Sequence, residues 1–123
     1  MGFLDKYASQ ILGITRIVAG LCFLEHGTMK LLGFPPGMHP PLISLAGAAG
    51  VIELVTGVLI VLGLYSRTAA FIASGEMAFA YFLGHFPRNF FPANNGGDAA
   101  ILFCFLFLYL AAAGPGAFSV NKK

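Results

Sequence analysis

Charge is what this chain lacks most. Of its 123 residues only 10% are Asp, Glu, Lys or Arg, whereas 58% are hydrophobic, and the mean hydropathy is +0.83. A soluble domain carries about 25% charged residues, so there is too little charge here to wet a globular surface. A net charge of +2 supplies no basic tract for nucleic acid. The two cysteines, Cys22 and Cys104, form no CxxC or other metal-ligand spacing. P-loop, serine-hydrolase and metalloprotease motifs are also missing. The first ten residues lack a basic region leading into an apolar core and a small-residue cleavage site, so the first apolar segment is expected to be retained as a span. Lys6 occupies the position where a myristoylation motif needs Ser or Thr.

What is present is long apolar runs. Four segments stand out, roughly Ile11 to Leu32, Leu42 to Leu64, Thr68 to Phe86 and Asp98 to Ala113. A helix needs about 20 residues to cross the hydrocarbon core. Nothing alternates with the period of a barrel strand, and backbone groups in lipid must be bonded within the segment. The expected fold is therefore all-α, an antiparallel bundle of four transmembrane helices forming one domain over residues 1–123. Between the first two segments, four prolines in residues 34–41 cannot continue a helix. Tyr65-Ser66-Arg67 is a short turn that makes spans two and three a hairpin. Residues 87–97 form a long outer loop, and Gly114-Pro115-Gly116 ends the last helix. Lys6, Arg67, Lys122 and Lys123 lie at the termini and the short turn, while the longer loops hold Arg88 with Lys30 near their edge. By the positive-inside rule both termini face the cytoplasm.

Against this background the charges inside the spans are informative. A carboxylate at the bilayer centre costs at least ~2.5 kcal/mol, so such groups have a partner or a task. Arg16, Glu53 and Glu76 form an intramembrane charge network, with Arg16 and Glu76 at similar estimated depth and positioned to pair. Lys30 and Asp98 both lie near the outer boundary and form a second expected pair. Small residues share faces with the acids: Ala46, Ala49, Gly50 and Gly57 with Glu53, and Ala73, Ala80 and Gly84 with Glu76. They let helices approach closely. These pairs read equally well as structural ties.

Glu25 points away from both Arg16 and Lys30 on its helix and is left without a partner. With His26, Lys30 and Asp98 it makes a candidate ligand or proton-pathway set in the outer half of the bundle. A neutral glutamic acid there would donate a hydrogen bond to a ligand carbonyl. His26 fits a satisfied core histidine, a proton shuttle or a haem ligand, although a haem shared with His85, near the outer end of span three, is strained. Cys22 and Cys104 fall at similar depths. A redox thiol pair is one reading, and simple packing is the favoured one. No residue is assigned a catalytic role and no metal is expected.

The order Arg16-x3-Gly20, His26-Gly27-x2-Lys30-Leu31, Glu53-x3-Gly57-x5-Gly63-Leu64-x2-Arg67 and Gly114-Pro115-Gly116-x2-Ser119 resembles the DoxX family of small four-helix bacterial inner-membrane proteins, over almost the whole chain. The resemblance carries over to Arg16, Gly27, Lys30, Glu53, Gly57 and Arg67, and to Gly97-Asp98, where members often have Gly-Glu. After Ser119 members tend to have an apolar residue and Asp, and here Val120 is followed by Asn121, which loses a terminal carboxylate. Glu25, Glu76 and the cysteines are not carried over. The resemblance implies a bacterial cytoplasmic-membrane protein. Related DoxD-type proteins are membrane subunits of a thiosulfate:quinone oxidoreductase, and other members associate with redox-defence proteins.

The functional expectation is a membrane module of a redox system that contacts a quinone or other lipid-soluble redox partner, with electrons supplied by a partner protein or bound cofactor. As an enzyme it would act only as the membrane component of a quinone-linked oxidoreductase. The alternatives are a non-catalytic scaffold that docks partner helices or forms a homo-oligomer, and a small proton-coupled transporter.

Overall fold

A computed structural model describes all of residues 1–123, and every regular element in it is helical. In chain order these are α1 (Gly2–Asp5), α2 (Ala8–Leu32), α3 (Leu45–Leu62), α4 (Ser66–Gly84), a 3-10 turn (Phe86–Arg88), α5 (Pro92–Asn95) and α6 (Asp98–Ala113). The four apolar segments coincide with α2, α3, α4 and α6. At 1.5 Å per residue, α2 is about 37 Å long and α3 about 27 Å. Both are long and apolar enough to cross a membrane, whereas α6 is apolar but shorter.

Local chemistry sets the ends. Gly33 leaves α2 in the left-handed region (φ 71°), and its N–H returns to Met29 O, the glycine C-cap that satisfies a terminal carbonyl. The expected start of the second span, Leu42, instead precedes a cap: Ser44 Oγ accepts from Gly47 N at 3.0 Å, so α3 begins at Leu45. α3 stops at Gly63, also left-handed (φ 67°). A tight turn through Gly63, Leu64 and Tyr65 then leads straight into α4.

The helices pack through small residues. Gly20 lies against Ile60 and Val61, Gly57 against Leu24, and Gly27 against the backbone of Gly50, Glu53 and Leu54, so α2 and α3 run in opposite directions. A Cβ on Gly27 would sit 2.6 Å from Leu54 N, so only glycine permits this approach. α4 and α6 also cross oppositely, with Arg67 bonded to Ala111 and Ala112 at one end, Ser74 Oγ donating to Cys104 O at 2.7 Å, and Tyr81 beside Gly97 at the other. Phe23 joins the two pairs, its ring centroid 5.7 Å from Phe103 and 4.9 Å from Phe107.

Polarity is inverted relative to a soluble domain. Arg16 and Glu53 are buried to 0% and 1% exposure, while Ile14, Val18, Val55, Phe71, Phe79, Leu102 and Phe105 face outward. Aliphatic and aromatic side chains cover the outside of every long helix, which suits a hydrocarbon surround and not water.

Arg16 does not pair with Glu76. Its guanidinium reaches backbone carbonyls: Nε donates to Ile60 O at 2.9 Å, and the terminal nitrogens donate to Pro115 O, Ala117 O (3.0 Å) and Phe118 O (2.7 Å). Gly114 and Gly116, both at positive φ, fold the C-terminal segment back over the ends of α2 and α3 to meet it. Ala117 N donates to Ser9 O, Val120 N to Leu62 O and Asn121 N to Gly63 O. Asn121 Oδ1 also accepts from Tyr65 N. Asn121 thus serves as a turn clamp where the family resemblance has an acid.

Candidate functional site

The second expected pair is likewise replaced. Lys30 Nζ donates to both carboxylate oxygens of Glu53, at 2.8 and 2.9 Å, and not to Asp98. Asp98 is exposed at the first turn of α6. The reason is the glycine contact: with Gly27 pressed on the α3 backbone and Gly50 against Lys30 Cβ, the lysine stem lies along α3 and its ammonium meets Glu53 one turn away. Glu53 is 1% exposed and the Lys30 side chain 14%. A fork of two short charge-assisted bonds is the arrangement a buried pair requires.

The α3–α4 hairpin brings a third ionisable group to this pair. Glu53 and Glu76 stand at matching distances on either side of the short turn, so their heights agree. The Glu76 carboxyl lies beside that of Glu53 and within the field of Lys30. Both Glu76 oxygens are buried and no donor group of the protein reaches either, their polar neighbour being the Glu53 carboxyl. Buried polar atoms in native proteins are nearly always satisfied, so a carboxyl with two open oxygens is an unusual feature.

The Glu76 side chain also lines a groove. A cavity of about 850 Å³ opens between α3 and α4, walled by Ala46, Ala49, Ile52, Ile72, Gly75 and Phe79. Lys30 and Glu76 are its deep polar groups, and His85 and Arg88 stand at its outer end. Its size lies within the roughly 300–1,000 Å³ of ordinary small-molecule sites, and its mostly apolar wall with a few convergent polar groups matches their usual chemistry. Asn95 builds the outer end. Its Nδ2 donates to Tyr81 Oη and Asn89 O, its Oδ1 accepts from Gly97 N, and its carbonyl bonds His85 Nδ1 at 3.1 Å. His85 is therefore oriented by backbone, and Arg88, three residues on in the 3-10 turn, carries no ion pair.

The other candidates lie apart. Glu25, His26 and Cys22 are exposed on α2, with the His26 ring 6.4 Å from that of Phe103. Cys104 is a free thiol whose Sγ sits 3.6 Å from Ser74 Oγ. Of the expected outer set, only Lys30 enters the groove. It bonds Glu53 and lies within the field of Glu76, acids that the depth estimates had separated from it. Of the groove's outer residues, His85 entered the sequence reading only as a strained second haem ligand and Arg88 only as a loop charge. The signal for the groove itself is the recurrence of Ile72, Glu76, Phe79 and Leu83 at helical spacing on one face of α4.

Apolar helix surfaces around a charged interior define a helical membrane protein. The chain belongs to the DoxX family: the family's model matches residues 11–86, from three residues into α2 to just beyond the end of α4, and so contains Arg16, Lys30, Glu53 and Glu76. An uncharacterized protein of Haemophilus influenzae is 43% identical over 134 residues, an alignment that covers 100% of this chain and 97% of the relative. No solved structure matches the chain.

Proposed function

We propose that this protein is a multi-pass protein of the bacterial cytoplasmic membrane, with α2, α3, α4 and α6 as four antiparallel spans and both termini cytoplasmic. In this reading it serves as the membrane module of a redox system, and the α3–α4 groove receives a quinone or a similar lipid-soluble redox partner. The observation that carries the reading is the groove: an apolar slot opening beside a lysine and a buried, unpartnered carboxyl. A quinone ring needs apolar walls and polar groups that hydrogen-bond its carbonyls. Lys30 donates to one carbonyl, and Arg88, exposed at the outer end, donates to the other or to a ring substituent. Electrons come from a partner protein, because the chain's own redox-capable groups are two separate thiols. The outward apolar faces contact lipid. A protein partner or second copy completes the module.

The test uses the full-length protein in lipid nanodiscs with a short-chain quinone. A ligand that binds only the folded state stabilises it by RT ln(1 + [L]/Kd), about 2.7 kcal/mol at a hundredfold excess over Kd. A saturable rise in melting temperature is expected. Gly75→Phe is the decisive variant: Gly75 lines the groove and a Cβ there meets nothing within 4 Å, so the ring is expected to occupy the groove in a folded protein, which the melting transition without ligand checks. The rise should vanish in Gly75→Phe and persist in Glu25→Gln and His26→Ala. Protection lost instead in the Glu25 and His26 variants moves the site to the exposed face of α2. No protection in any form leaves the scaffold reading, in which the buried charges serve only registry.

A further inference from the structure

We infer that Glu76 is the proton-carrying residue of the groove, and that the Lys30 ammonium swings between Glu53 and Glu76 as that proton leaves and returns. The inference deepens the ligand reading of the groove and rests on it for the identity of the proton's recipient. It starts from charge balance. Two carboxyl groups and one ammonium share a site removed from water. With Lys30 committed to both oxygens of Glu53, a charge on Glu76 has no cation bonded to it.

The groups around Glu76 are few. α2 offers Lys30 and α3 offers Glu53. At the outer end stand His85, tied through Nδ1 to Asn95 O, and Arg88. α6 presents Cys104 at Ser74, while Asp98 is exposed at its start. No N–H, hydroxyl or thiol among these reaches the Glu76 oxygens, and the polar group beside them is the Glu53 carboxyl. A proton on the carboxyl is the remaining way to remove a charge whose burial costs several kcal/mol. The neighbouring Glu53 carboxyl is placed to share that proton, and the Glu76 side chain lines the cavity through which a ligand reaches it.

The chemistry follows from this placement. When a ligand with an oxyanion, such as the phenolate of a reduced quinone, occupies the groove, the Glu76 O–H bond breaks and an O–H bond forms on the ligand oxygen. No electron moves in this step. The carboxylate left behind beside Glu53 attracts Lys30, whose stem of four methylenes lets the ammonium turn without backbone motion. Return of a proton to Glu76 releases Lys30 to Glu53. The apolar wall keeps water from short-circuiting the exchange.

Dicyclohexylcarbodiimide provides the test, since it adds to protonated carboxyls in apolar surroundings and leaves a stable N-acylurea. In the full-length protein in nanodiscs, peptide mass spectrometry should find the adduct on Glu76 and not on Glu53. It should be lost in Glu76→Gln. Lys30→Met should bring a second adduct onto Glu53, which no longer has its cation. A carboxylic C=O stretch in the infrared spectrum that disappears in Glu76→Gln gives an independent measure in the intact protein. An adduct on Glu53 alone overturns the inference, as does a folded protein with neither the Glu76 adduct nor the band. A short-chain quinone should block the Glu76 adduct. If labelling occurs but the quinone fails to block it, the quinone reading fails and the proton-carrying role stands.

Discussion

Arg16→Met is the sharpest structural perturbation available. Arg16 is fully buried and donates to four backbone carbonyls, three of them in the C-terminal segment. Hydrogen bonds to a charged group contribute about 1.5–3 kcal/mol each, but the four are not additive because one guanidinium makes them all. Removing it leaves four acceptors open in an apolar site. The relevant comparison is the loss of one partner from a buried charged network, about 3–5 kcal/mol. That is a large share of a stability that is commonly about 5–15 kcal/mol. Methionine fills similar volume, so the cost reflects lost bonding more than a cavity. Two readouts are needed in nanodiscs: the melting temperature, and hydrogen exchange at the Ala117, Val120 and Asn121 amides, which donate to Ser9, Leu62 and Gly63. A marked fall in melting temperature is expected, with the largest loss of protection at those three amides. Arg16→Lys should recover part of the stability, since a lysine keeps the charge but cannot present the planar fork. Combining Arg16→Met with Glu76→Gln should give additive effects. A coupling of more than ~0.5 kcal/mol between these two sites, or an unchanged tail in Arg16→Met, refutes the assignment of Arg16 to the C-terminal carbonyls.

Lys30→Met strands Glu53 and should cost about 3–5 kcal/mol, whereas Lys30→Met with Glu53→Leu should recover most of it, measured as a double-mutant cycle of melting temperatures. Gly27→Leu drives a side chain into the α3 backbone at Glu53 and Leu54. It should lower stability by at least the ~1–3 kcal/mol of ordinary overpacking and, unlike Gly75→Leu, reduce the yield of folded protein. Asn95→Ala removes bonds to Tyr81, Asn89 and Gly97. At about 0.5–1.5 kcal/mol per bond, tryptic cleavage after Arg88 should accelerate while α2 and α3 stay protected. Glu25→Gln and His26→Ala, both on the exposed face of α2, should change stability by less than about 0.5 kcal/mol.

The helices were legible because apolar runs, proline clusters and glycines act locally. Gly33 and Gly63 end α2 and α3 at positive φ, and Asp98 opens α6 where the apolar run begins. The departures are also local, since a Ser44 cap delays α3 past Leu42. Charge pairing was not legible in the same way. Depths counted from each segment's own edge placed Glu76 level with Arg16. The three-residue turn between α3 and α4 was the better ruler, because it sets Glu76 level with Glu53. Nothing in the spacing shows that a C-terminal segment folds back to occupy Arg16, because those partners are backbone carbonyls that any residue supplies. Lys30 was assigned to Asp98 by proximity to the outer boundary, whereas the Gly27 contact lays its stem against α3. Glu25 drew attention as the acid without a partner. The acid whose oxygens are buried and unpartnered is Glu76.

The fold explains why such a site persists. Gly27 and Gly50 hold α2 against α3, which fixes Lys30 on Glu53, and the tight turn delivers Glu76 beside them. Asn95 secures the outer end of α4 and with it His85. Each support lies on a different element, so the groove is preorganised by the whole chain and not by one motif.

The most direct test of the groove as the ligand site is photolabelling of the full-length protein in nanodiscs with an azido-substituted short-chain quinone, followed by peptide mapping. The account predicts adducts on the groove faces of α3 and α4, within residues 45–52 and 72–88, that are displaced by unlabelled quinone and absent in Gly75→Phe. Displaceable adducts at Cys22, Glu25 or His26, with none in those two stretches, would contradict it.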